Sequence, residues 1–387
     1  MKKLNKLQQL SFIIRREYWA ISTSYAVLLV LMGGIFVYGL LYNYMYAPNI
    51  VTDVPVAVVD NSHSELSRNF IRWLDATPQA EIYDQAMDYH EAKEWMKAGK
   101  VQGILYLPHD FEERVFRGDE AVFSLYATTD AFLYFEALQG ASSRVMLAIN
   151  DKYRPDGAVF LPPQGLLAVA MAKPVNVAGT ALYNYTEGYG SYLIPAVMVI
   201  IIFQTLLMVI GMLTGEEHMT KGILAYTPFG KSWAVAIRIV AGKTFVYCSL
   251  YAVFSFFLLG LLPHFFSIPN IGNGLYIVLI PYLLATSFLG LAASRYFTDS
   301  EAPLLMIAFF SVGLIFLSGV SYPMELMPWY WKAAHYIFPA APATLAFVKL
   351  NSMGASMADI QLEYITLWIQ VIVYFALSIW VYKRKLS

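Results

Sequence analysis

Uncharged, mostly apolar runs alternate with polar stretches along the chain. The runs cover residues 21–42, 188–213, 244–262, 271–294, 302–323 and 364–382. Each is long enough to cross a bilayer, because a crossing takes about 20 apolar residues. The pattern therefore predicts about six spans. Backbone groups in hydrocarbon must bond within their own segment, so every span is expected to be a helix. Pro195 and Pro281 fall inside two of the runs and predict kinks there.

The stretch between the first two runs, residues 43–187, has a different texture. Val54 to Val59 (VPVAVV) is β-branched and bounded by turn residues, which predicts a buried strand. Ser62-His63-Ser64-Glu65 reads as a capping box, with Ser62 accepting from backbone N–H groups and Glu65 reaching back, opening a helix to Asp75. Asp88 to Glu91 repeats the device, and Gly99 closes that second helix. Strands follow over residues 101–107 and 121–127, with a short helix over 110–116 between them and a longer one over 131–149. Such alternation implies a small α/β sheet. The fold class expected is thus a polytopic α-helical membrane protein with an extracytoplasmic α/β domain inserted between the first and second spans.

Three other polar segments stand out. Residues 1–20 place Leu4, Leu7, Leu10, Ile14 and Tyr18 on one helical stripe among Lys2, Lys3, Lys6, Arg15 and Arg16. That fits an amphipathic helix on an anionic membrane face, and equally a basic flank that only sets orientation. Residues 214–243 form a charged loop with Glu216, Glu217, Lys221, Lys231, Arg238 and Lys243, broken at Thr227-Pro228. Residues 321–347 are too apolar for a free loop and too rich in proline for a crossing. They predict short helices dipping back into the bilayer, with Trp329, Tyr330 and Trp331 as interfacial anchors.

Composition agrees with the membrane assignment: 14% of residues are charged, against about 25% in an average soluble domain. Mean hydropathy is +0.53. The net charge of −1 hides an asymmetry. Residues 44–187 hold 19 acids and 11 bases, a net of −8, while the remainder holds 15 bases and 8 acids. With the N-terminus inside, the inner segments carry thirteen Lys and Arg and the short outer ones only Lys332 and Lys349. By the positive-inside rule both termini, including the tail 383–387, and the 214–243 loop are cytoplasmic, and residues 43–187 are outside.

Catalytic chemistry is not legible. Gly230-Lys231-Ser232 and Gly242-Lys243-Thr244 end like phosphate loops, but Ala225 and Ile237 occupy the positions of the required first glycine. ATP binding by this chain is not expected. His90-Glu91 lacks the second histidine of a zinc-protease helix, and one cysteine, Cys248, excludes an internal disulfide or a thiolate cluster. No catalytic and no metal site is expected. Charge is nearly absent from the predicted spans, which argues against ion-coupled antiport. Gln204 and Thr205 in the second span, and Ser311 and Ser318 in the fifth, are the polar positions that would face a substrate path or else bond between helices.

The passage from Glu217 to Pro228 resembles the loop between the second and third spans of ATP-binding-cassette (ABC) type-2 permeases. Glu217, His218, Thr220, Leu224, Thr227 and Pro228 match that pattern, with Met219 in place of the usual glycine. Ser318-Gly319 to Pro323, Pro328 and Pro339 resemble the family's segment after the fifth span. Gly99 to Leu105 with Pro108 and Asp110-Phe111, and Leu182-Tyr183-Asn184, resemble its outer domain. The resemblance implies a half-transporter of the bacterial inner membrane that pairs with itself or a sibling permease. A separate cytoplasmic ATPase, carrying the ATP and Mg, would dock on Glu216, Glu217, His218, Thr220, Thr227 and Pro228. Efflux of a drug-like, lipid-like or otherwise amphipathic substrate is implied, with a periplasmic adaptor on the outer domain as a further partner. Membrane lipids are the other contact, and no nucleic acid is expected. A membrane-anchored scaffold or receptor without transport activity is the alternative, and a gene for an ATPase subunit beside this one would separate the two.

Overall fold

A computed structural model describes residues 5–46, 51–117, 121–127, 132–153, 189–266 and 275–386. Leu182–Asn184, the starts of the second and fourth predicted spans, and residues 1–4 of the N-terminal stripe lie outside the described residues. The chain divides into two compact units. One is formed by Met1–Asn49 with Ala181–Ser387, the other by Ile50–Thr180.

In the inserted unit, β1 (Val54–Asp60) is the second strand of a four-stranded sheet of order β2-β1-β3-β4. Here β2 is Ala80–Gln85, β3 Gly103–Leu107 and β4 Ser124–Ala127. β1 runs parallel to β2 and β3, and β4 is antiparallel to β3. The continuous apolar run of β1 has a cause in this topology, because both faces of the strand are covered. Val54, Val56 and Val58 pack with Phe70 and Leu74 of α3 (Glu65–Asp75) and with Leu138 and Ala141 of α6 (Phe132–Tyr153). Ala57 and Val59 pack on the opposite side with Ala92 of α4 (Tyr89–Lys97). A short helix α5 (Phe111–Arg117) follows β3.

The caps differ in part from expectation. Ser64, not Ser62, is the N-cap of α3: its hydroxyl accepts from Ser67 N at 3.0 Å, and Ser67, not Glu65, returns the bond to Ser64 N. Ser62 lies two residues too early for the helix, because Asp60 at the end of β1 holds the backbone N–H groups of Ser62 and His63. Asp88 does cap α4, accepting from Glu91 N at 2.8 Å, while Glu91 reaches Met87 N. Gly99, at φ +72°, ends that helix.

In the other unit the amphipathic helix is α1 (Lys6–Thr23). Among the described residues, five helices are long and apolar enough to cross a membrane. They are α2 (Tyr25–Met45), α7 (Tyr189–Met219), α8 (Trp233–Phe265), α9 (Leu275–Ala293) and α13 (Gln361–Leu386). The remaining apolar run forms α10 (Ala302–Leu317), which is 16 residues long. The chain breaks after it at Gly319, whose φ of +84° is left-handed. α7 is apolar all round and central, as a helix without a polar face must be. It continues without interruption through Pro195, and α9 through Pro281.

Residues after α10 form the short helices expected there, α11 (Trp329–His335) and α12 (Ala340–Ser352). Nearly every residue of α12 is buried, and Ser352 Oγ donates to Ser191 O at 2.9 Å. The aromatic side chains of Trp329, Tyr330 and Trp331 are exposed.

A charged latch beneath the loop between α7 and α8

The predicted 214–243 loop is much shorter than expected. α7 carries the chain through Glu216, Glu217 and His218 to Met219. Lys221 then adopts φ +51°, and a 3-10 helix runs over Gly222–Phe229. Gly230 turns at φ +91°, and Ser232 caps α8 by accepting from Val235 N. Arg238 and Lys243 therefore belong to α8, not to the loop.

Lys243 is 2% exposed, which overturns the expectation that the spans carry almost no charge. Its Nζ lies 2.9 Å from Glu17 Oε2 and 3.3 Å from Glu217 Oε2. Arg16 completes the cluster from α1: Nη1 is 3.2 Å from Glu217 Oε1, and Nη2 donates to Gly222 O at 2.9 Å. The Tyr247 hydroxyl also donates to Glu17. Two acids face two bases, so the charges balance, as buried charges must if they are to stay ionised. The Arg16 guanidinium lies 4.6 Å from the centre of the Tyr226 ring, which comes from the 3-10 helix. Burial pushes the Tyr226 hydroxyl up to about 12, so it stays neutral under the bilayer's working conditions.

The cluster joins four elements: α1, the end of α7, the 3-10 helix and α8. Close backbone approach makes the joint possible. A side-chain carbon on Gly242 would come 2.8 Å from Ile13 Cγ2, so α1 seats on α8 only over a glycine. The packed face of α1 is Ile13, Glu17 and Ile21. Leu7 and Tyr18 of the predicted stripe are exposed, with Leu10 and Ile14 half-buried. Lys385 of α13 meets Ser294 O at 3.1 Å, so the end of α9 and the C-terminus lie at this same end of the bundle.

Of the residues singled out for ATPase contact, Glu216, His218, Thr220 and Pro228 are exposed and Glu217 is buried. Thr227 lies in the 3-10 helix. Met219, Leu224 and Trp233 add exposed apolar surface beside them. A pocket of about 310 Å3 opens between His218, Lys221, Leu224 and Lys385. Sequence reasoning missed Arg16, Glu17, Tyr226 and Lys243 as members of one site. Only the co-occurrence of a lone acid, Glu17, with a lysine inside an apolar run could have pointed to it.

Residues 20–380 match the model of the ABC-2 family transporter proteins. The chain belongs to the ABC-2 transporter family. No curated protein and no solved structure matches it. ABC-2 membership makes the chain a multi-pass transport subunit, and the family associates with an ABC ATPase subunit. Among the described residues no group of three His, Cys, Asp or Glu could hold a metal ion.

The four polar span residues have varied settings. Gln204 is half-buried. Thr205 donates to Ile201 O at 2.7 Å, and its methyl faces Gly34, where a side-chain carbon would come within 2.4 Å. Ser311 donates to Ala308 O and Ser318 to Ile315 O, each on its own helix. Near them α10 and α11 line an apolar cavity of about 800 Å3, with Phe310, Leu314, Tyr322 and Trp331 among its walls.

Proposed function

We propose that this chain is the permease half of an ATP-driven exporter in a bacterial inner membrane. It pairs with itself or a sibling permease and moves a drug-like, lipid-like or otherwise amphipathic substrate outward. The ATP and Mg are held by a separate cytoplasmic ATPase, and the unit Ile50–Thr180 lies outside, where an adaptor protein would meet it. The latch carries this reading. It ties the 3-10 helix that follows α7 to α1 and α8 through Arg16, Glu217 and Lys243. A push on that segment is thereby passed to three membrane-end helices at once. A scaffold with no moving ATPase would gain nothing from such a joint.

In this reading Glu216, His218, Thr220 and Pro228 form the docking face, and Glu217 holds that face in place from within. Thr227 sits in the same docking segment, and Gln204, Thr205, Ser311 and Ser318 remain the polar residues proposed for the path. The two roles separate experimentally. Glu216→Arg changes an exposed charge and should weaken ATPase binding while leaving the permease thermally stable. Glu217→Arg sets a third cation beside Arg16 and Lys243, and should lower substrate-stimulated ATP hydrolysis even where the subunits still co-purify. Normal hydrolysis and export in both variants would show that the loop does not couple the subunits.

A further inference from the structure

Lys332 and Lys349 are the two basic residues that depart from the thirteen-to-two distribution of charge. They line one pocket. It holds about 270 Å3 between α11, α12 and the start of α13, and Glu325, His335 and Glu363 share its wall. Glu363 is 5% exposed. Its Oε1 accepts from Lys349 Nζ at 2.6 Å, but its buried Oε2 has no hydrogen-bond partner among the described residues. A buried carboxylate oxygen without a donor is costly, and Glu363 lies on the pocket wall, so a donor entering there would offset that cost. Lys332 lies on the exposed side of the pocket, with Nζ bonded to the Glu325 carbonyl at 3.1 Å. An ammonium held only by a neutral carbonyl retains N–H groups for an anion.

The ligand must therefore present a primary amine to Glu363 and an anion to Lys332. Its size is limited, since pockets for drug-sized molecules run to about 300–1,000 Å3. Its depth is set by Trp329, Tyr330 and Trp331, exposed on α11 beside the pocket, because such rings gather at the headgroup level of a bilayer. We propose that this pocket binds a phosphoethanolamine group, with the amine on Glu363 Oε2 and the phosphate on Lys332. The pairing of two acids with two bases suits a zwitterion and disfavours a purely anionic headgroup. This site does not depend on the direction of transport or on the ATPase.

The test uses the full-length protein purified in detergent and examined by native mass spectrometry after addition of defined lipids. Phosphatidylethanolamine should be retained about tenfold more than phosphatidylcholine, whose quaternary ammonium has no N–H to give Glu363. Phosphatidylglycerol should also be retained less. Lys332→Met, on a partly exposed residue whose loss leaves the Lys349–Glu363 pair intact, should weaken phosphatidylethanolamine retention. Glu363→Gln should erase the preference over phosphatidylcholine. Soluble phosphoethanolamine is the second arm. Binding of the lipid alone identifies a headgroup site, and equal binding of the soluble compound identifies a site for a free zwitterion; either outcome supports the chemistry. Equal retention of phosphatidylethanolamine and phosphatidylcholine, or an unchanged preference in folded Lys332→Met, would overturn it.

Discussion

Lys243 shows how one side chain sets the chemistry of the whole latch. It is the only group that touches both Glu17 and Glu217 among the described ion pairs, at 2.9 and 3.3 Å. Truncating it leaves two carboxylates buried together, with Arg16 bonded to only one of them. Breaking a buried pair from one side typically costs about 3–5 kcal/mol, whereas replacing every member by neutral groups is often nearly free. Lys243→Met should therefore lower the thermal midpoint of the detergent-purified permease markedly. The quadruple variant Arg16→Gln, Glu17→Gln, Lys243→Met, Glu217→Gln should recover much of that loss. Recovered stability without recovered coupling to ATP hydrolysis would then separate the mechanical role of the charges from their role in holding the fold. A single variant as stable as the parent would mean that the cluster is not strained by losing its central cation.

At the level of elements, α7 meets the turn before α10 more closely than any side chain would permit. A side-chain carbon on Gly215 would come 1.8 Å from Asp299 O, and backbone cannot rotate aside as a flexible side chain can. Gly215→Ala should force α7 and that turn apart, destabilising by an amount in the range of about 1–3 kcal/mol for overpacking, while Gly33→Ala, which meets nothing within 4 Å, should be tolerated. Melting curves of the two variants in one detergent check this. The sequence does not reveal such contacts, although it reveals most of the elements that make them. Length and apolarity located α2, α7, α9 and α13, and β-branching located β1, because each signal is carried by the segment itself. β2 is hard to read because AEIYDQ is a largely exposed edge strand whose core face holds only Ala80 and Ile82 before Asp84 ends the alternation. Lys243 reads as loop in the sequence because an uncharged run begins only after the last charge. The Ser232 cap and the partner Glu17, 226 positions away in the chain, show instead that the helix begins eleven residues earlier. No local pattern encodes a pairing over that distance.

Across the molecule, the basic residues gather at the end of the bundle that holds the latch. Arg16 bonds Glu217 and Gly222, Lys385 bonds Ser294, and Glu217 and Lys385 line one pocket, so the N-terminal helix, two inter-helix connections and the end of α13 share one side. Lys332 and Lys349 belong to α11 and α12, away from those connections. In the orientation proposed from the positive-inside rule, the latch is cytoplasmic. The same proposal puts residues 44–187, with their net charge of −8, outside. Cysteine accessibility tests this directly. In a Cys248→Ser background, Met87→Cys, at a position 92% exposed, should react with a membrane-impermeant maleimide in cells whose outer membrane alone is permeable. Lys221→Cys, exposed in the loop between α7 and α8, should react only after the inner membrane is opened. Labelling of Lys221→Cys before that step, with Met87→Cys protected, would invert the orientation and place the latch on the side that no ATPase can reach.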